Sequence, residues 1–102
     1  MADGDLLGRA LLDALRSTNQ LIARVPDGAL SRLEAQRELL LAQLGRLVDV
    51  NLDQASAQYQ AATARLQTAS VGIRQALADM SKVAQAIEML GQALELAASL
   101  KP

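Results

Sequence analysis

Cysteine, histidine, phenylalanine and tryptophan are absent from this 102-residue chain, and tyrosine occurs once, at Tyr59. Without cysteine or histidine there is no disulfide, no thiolate nucleophile, no Ser–His pair and almost no way to hold zinc. Without aromatics the usual anchors of ligand pockets and base-stacking platforms are missing. Sheets draw on aromatic and β-branched residues, so the same scarcity argues for helices. Charge of one sign is also lacking: ten Lys and Arg face eleven Asp and Glu, and the two signs nearly balance within each half of the chain. No basic stripe exists to follow a phosphate backbone, so no nucleic-acid partner is expected. No uninterrupted apolar run reaches about 18 residues, the length a transmembrane helix requires. The acidic start, Met1-Ala2-Asp3-Gly4-Asp5, has no basic segment of the kind that opens a signal peptide. These features, with the missing cysteines, predict a cytoplasmic protein, and the wealth of Arg, Ala and Leu suggests a bacterial one.

What is present is periodicity. Leu52, Tyr59, Leu66, Ile73, Met80, Ile87 and Leu94 recur every seven residues, and three places further on run Ala55, Ala62, Ala69, Ala76, Val83, Leu90 and Ala97. Large apolar residues at a and mostly alanine at d form a helix–helix contact seam, because those positions keep facing a partner along a supercoiled helix. The e positions, Ser56, Thr63, Ser70, Leu77, Ala84, Gly91 and Ala98, are small in six cases of seven. A parallel two-stranded zipper prefers leucine at d and charges at e and g. Only Arg65 and Asp79 are charged at g, so an antiparallel bundle of three or four helices is the better reading.

Upstream, Leu7, Leu11, Ala14, Leu15, Leu21, Ile22 and Val25 predict a helix over about residues 5–24. Val25-Pro26-Asp27-Gly28 is turn chemistry. A second helix follows over about 29–49, with Ser31 and Glu34 as a capping box and Asp27 as a competing earlier cap. The chain is therefore read as one all-α domain spanning residues 1–102. Its architecture is an elongated antiparallel helical bundle or coiled coil of two short helices and one long helix over about 52–100. Two hinges compete. Asp49 to Asp53 has low helix propensity, with Asn51 and Gln54 resembling a cap. Thr68 to Gly72 contains a glycine that costs about 1 kcal/mol relative to alanine, yet the heptad phase passes through it, which favours continuity. An unbroken helix over 52–100 would span roughly 73 Å and leave its second half without an intramolecular partner. A turn near Gly72 would instead allow a closed monomer.

Carboxylates are the remaining candidates for chemistry. Glu34 and Glu38, and Asp49 and Asp53, stand one turn apart and could share a hard cation. Arg32, Arg37 and Arg46 lie near them, which makes a solvated polar face the better reading. Asp49-Val50-Asn51-Leu52-Asp53 opens like a calcium loop, but Gln54 stands where glycine turns the loop and Gln60 where a bidentate glutamate is required. No catalytic, cofactor or metal site is expected.

The functional expectation is a non-enzymatic helical interaction or assembly protein, structural or adaptor in kind. It would self-associate through the seam at 52–97 into a homo-oligomer. Residues 83–100, where Ala86, Met89, Ala93, Leu96 and Leu100 widen the apolar stripe, could instead meet a helical protein partner. In its Ala- and Gln-rich composition the chain resembles the granule-coating phasins, which implies an alternative role as an amphipathic coat on a membrane or apolar polymer granule. Membrane-surface helices usually set Lys and Arg beside Trp or Phe, whereas Lys82 lies near the apolar end here with neither aromatic beside it, so this reading ranks second. A small bacterial secretion or phage component of the helical-hairpin kind is a further alternative, although the turn at Val25-Pro26-Asp27-Gly28 lacks the Trp-x-Gly of one such family.

Overall fold

The structure, a computed structural model, describes residues 6–49 and 52–100, the side chain of Val48 excepted. Among these residues four α-helices pack together without a strand: α1 (Leu6–Ile22), α2 (Asp27–Asp49), α3 (Ala57–Ala78) and α4 (Val83–Ala98). A short 3-10 turn, Met80–Lys82, joins the last two.

In α1, Leu7, Leu11, Ala14, Thr18 and Leu21 are buried at steps of three and four, the stripe that the sequence periodicity requires. The helix closes when the Leu21 carbonyl accepts from the N–H groups of Arg24 (2.9 Å) and Val25 (3.1 Å). Pro26 begins the next element. Its carbonyl accepts from the Ala29 N–H at 3.0 Å, and Asp27 places a carboxylate at the positive end of α2. The helix starts at the earlier of the two candidate positions, with Asp27 as its first residue rather than its cap, and Ser31 lies inside the helix.

The single long helix over 52–100 is not there. α2 ends at Asp49 and α3 begins at Ala57, so the chain does leave the helix near the first hinge candidate. Val50 and Asn51 lie outside the described residues. The cap of α3 is Ser56, whose Oγ accepts from the Tyr59 N–H at 3.1 Å. Asp53 turns the chain just before it, accepting from the Ala55 N–H at 3.0 Å. The second hinge candidate, 68–72, is continuous helix. Gly72 is instead a point of close approach. A methyl group there would stand 3.1 Å from the Met89 sulfur and 3.2 Å from its Cε.

The break lies seven residues later, at Asp79, whose backbone is extended (φ −145°, ψ 100°). Its N–H closes α3 by donating to the Gln75 carbonyl at 2.9 Å. Its carboxylate starts the 3-10 turn by accepting from the Ser81 N–H (3.1 Å) and the Ser81 hydroxyl (2.7 Å). The heptad phase survives this break because both arms of the hairpin turn their apolar residues into the same core.

α1 lies against α2 and α3, and α4 lies against the same two helices. The Leu7 N–H donates to the Tyr59 hydroxyl at 3.2 Å, which brings the starts of α1 and α3 together. Gln36 Nε2 donates to the Ile87 carbonyl at 2.7 Å, and Arg46 reaches the Ala97 carbonyl at 3.3 Å. α1 therefore runs parallel to α3 and α2 parallel to α4, while each hairpin is antiparallel. The longest dimension is 38 Å, half of what a continuous helix over 52–100 would have needed.

Among the described residues, eight of the 22 buried apolar ones are alanine and ten are leucine. Each buried leucine contributes about 1.5–3 kcal/mol, and the alanines let the helix axes approach. Two polar groups sit uneasily among them: the hydroxyls of Thr18 and Ser70 are buried with no hydrogen-bond partner among the described residues. Thr63, by contrast, donates back to the Tyr59 carbonyl at 3.0 Å. Removing an unpaired buried hydroxyl removes its desolvation cost. Thr18→Val and Ser70→Ala are each expected to raise unfolding stability by about 1 kcal/mol in urea titrations; a loss in both would mean that the hydroxyls are bonded.

Asp79 supplies a pH test. The two Ser81 hydrogen bonds, side chain then backbone, hold its carboxyl below the usual value of 3.8. A depressed pKa stabilises the folded state above 3.8, and that contribution disappears as pH falls through the folded value. Asp79→Ala is thus expected to lower the thermal midpoint at neutral pH, with the gap to wild type closing below about pH 4. A gap constant from neutral pH to pH 3 would rule out the cap as its source.

Candidate functional site

Twelve of the fourteen seam residues are buried within the chain itself: Leu52, Tyr59, Ala62, Leu66, Ala69, Ile73, Ala76, Val83, Ile87, Leu90, Leu94 and Ala97. The other two, Ala55 and Met80, are exposed because each falls in a connection between helices. The widened stripe at 83–100 is likewise turned inward. Ala86, Ala93 and Leu100 are buried, and Met89 and Leu96 pack against the core.

One surface with apolar groups to spare is the side of α2. Its Leu33, Gln36 and Leu40 are buried, but Leu39 and Leu41, on either side of Leu40, are 52% and 46% exposed. Successive helical residues are turned by about 100°, so three leucines in a row cannot all reach one core. Leu39 lies on the flank nearer α4 and edges a groove between these two parallel helices.

That groove has two halves that meet at Gly91 and Glu95. One half is an apolar depression of about 230 Å³ formed by Leu39, Leu94 and Ala98, with Gln43 at its edge. The other is shallower and more polar, with Ala35 and Ile87 in its lining beside Arg32 on α2 and Glu88, Gln92 and Glu95 on α4. Gly91 opens the middle, and a Cβ there would come only as near as 3.5 Å to Gln36 Nε2. Gln36 forms the floor, tied to the Ile87 carbonyl through its Nε2 while its Oε1 has no partner among the described residues.

Arg46 closes the groove at its far end. Its guanidinium donates to the carbonyls of Ala97 (3.3 Å), Ala98 (3.5 Å) and Leu100 at the end of α4, where the Ala97 carbonyl also accepts from the Leu100 N–H at 3.2 Å. A cation at the negative end of the helix dipole reinforces those bonds.

Neither carboxylate pair read from the sequence is joined by a third acidic side chain among the described residues. Glu34 and Glu38 are exposed on α2, and Asp49 and Asp53 are separated by the end of that helix. Among the described residues no three acidic side chains converge on a common point. Arg74 is paired with Asp13 of α1 at 3.2 Å, both half exposed. A second depression, lined by Leu6, Tyr59, Thr63 and the glutamines 54, 60 and 67, contains no charged group that would select a partner. No helix among the described residues is long and apolar enough to cross a membrane.

The groove depends on its clamp. Arg46→Ala is expected to cost about 1–2 kcal/mol and to speed amide exchange in the last turn of α4. Arg46→Lys should recover part of this, since an ammonium keeps the charge but cannot fork across three carbonyls. Unaltered exchange at 95–100 in Arg46→Ala would refute the clamp. Compared with protein-family models, curated proteins and solved structures, the chain matches none.

Proposed function

We propose that this chain is a non-enzymatic helical interaction protein, an adaptor or assembly unit that holds an amphipathic helix in the groove between α2 and α4. The observation that carries the reading is the union, along one groove, of an apolar depression at Leu39, Leu94 and Ala98 with the carboxylates of Glu88 and Glu95. A helix laid in such a groove buries an apolar anchor and sets its register by charge. The groove carries two carboxylates against one guanidinium, Arg32, so the favoured occupant is basic on the face it presents.

This moves the contact surface away from the heptad seam. Self-association through residues 52–97 would require the chain to open its own core, and each buried leucine given up costs about 1.5–3 kcal/mol. Coating a membrane or granule with residues 83–100 meets the same obstacle, since their larger apolar groups pack against the other helices.

A synthetic helix with arginines seven residues apart and a leucine between them tests the reading. Titrated into the labelled protein, it is expected to shift the amide resonances of Leu39, Gly91, Leu94 and Glu95. Leu39→Asp should weaken binding about tenfold, the equivalent of about 1.4 kcal/mol. Shifts confined to the surroundings of Leu6 and Tyr59, or none at all, would remove the groove from consideration.

A further inference from the structure

On the reading of the α2–α4 groove as a docking face, we infer that its occupant is α1 of a second copy of this chain. The outward face of α1 carries Arg9, Leu12 and Arg16, all exposed, with Leu12 at 40%. These three lie at steps of three and four residues and therefore project from one side of the helix. On α4, Glu88, Gly91 and Glu95 stand at the same two steps. With the two helices side by side and running the same way, a single register sets Arg9 opposite Glu88, Leu12 opposite Gly91 and Arg16 opposite Glu95.

Each pairing has its own physical reason. Leu12 meets the one position in the groove that has no side chain, beside the apolar depression at Leu39 and Leu94. Glu88 and Glu95 are exposed and make no ion pair among the described residues. Asp13, the acidic residue within α1, is held by Arg74 of its own chain, which leaves Arg9 and Arg16 to give the outward face its sign. A foreign basic helix would need this spacing by coincidence; a second copy already has it.

α1 is not a principal neighbour of α4 within one chain. The ridge and the groove therefore face different directions, and two copies cannot satisfy both contacts with each other. Such a heterologous contact continues from copy to copy, closing into a ring or extending as a filament according to the rotation at each step.

Light-scattering mass across a dilution series up to about 1 mM tests this. The wild-type chain is expected to exceed 10.8 kDa, to grow with concentration and to shrink as salt screens the pairs. Arg9→Gln with Arg16→Gln should weaken association about tenfold. Arg9→Glu with Arg16→Glu should leave monomers, as should Glu88→Arg with Glu95→Arg. An equal mixture of these two charge-reversed proteins should associate again, because each groove then meets a ridge of opposite sign. All four positions are exposed, and circular dichroism checks that helicity is kept. A wild-type chain that stays monomeric throughout, or a mixture that fails to associate, overturns the inference. If the synthetic helix still shifts Gly91 and Leu94 in that event, the groove survives as a docking face and only the second copy is excluded.

Discussion

Close approach between helices is the constraint on which the rest of this structure depends. The chain has one aromatic residue and must build its core from leucine and alanine, so the helix axes have to lie near one another for dispersion contacts to form. α3 meets that demand most fully. Ala62, Ala69, Ser70, Gly72 and Ala76 give it little bulk on its buried side, and α1 and α4 settle against it. Gly72 illustrates the logic: the space that a Cβ would have taken is filled by the thioether of Met89. The connections follow from the same requirement. Asp79 has to reverse the chain within a few residues, and its paired bonds to Ser81 do so with a single extended residue.

α2 is the exception, and the exception makes the groove. Where α3 spreads small residues over a continuous face, α2 concentrates leucines around Leu40 and presents them in several directions. It is held to α4 by two polar fastenings, Gln36 on Ile87 and Arg46 on the helix end, rather than by a continuous apolar seam. Polar fastenings fix direction and register without filling space. Between them lies room for the side chain of another helix.

Much of the architecture was legible in the sequence, and the failures have identifiable causes. Period and composition identified an all-helical chain, and Pro26 with its neighbours located the first turn. The burial of Leu66, Ile73, Ile87 and Leu94 follows from the heptads. The division of the last half into two helices did not, because a heptad count is blind to a reversal that preserves its phase. The local signal is Asp79-Met80-Ser81, an acidic cap followed two residues later by a hydroxyl, and the rhythm around it masks it. At Gly72 the unbroken heptad phase favours continuity and the helix is continuous there; glycine in a helix marks either a hinge or a contact, and only the neighbour decides which. The groove had a signal too: three consecutive leucines, Leu39 to Leu41, exceed what one side of a helix can bury. Its partner residues on α4 are fifty positions away and carried no mark that would have joined them to it.

The pairing of Leu7 with Tyr59, and of Arg46 with the end of α4, has a geometric consequence beyond stability. Both fastenings lie at the same pole of the molecule, opposite the turns at Pro26 and Asp79. Whatever polypeptide precedes Leu6 and whatever follows Leu100 must therefore leave from one pole. A cargo fused at either position would hang from that pole, within a turn of Arg9 on α1 or beside the Ala98 end of the groove, and the opposite pole would stay bare.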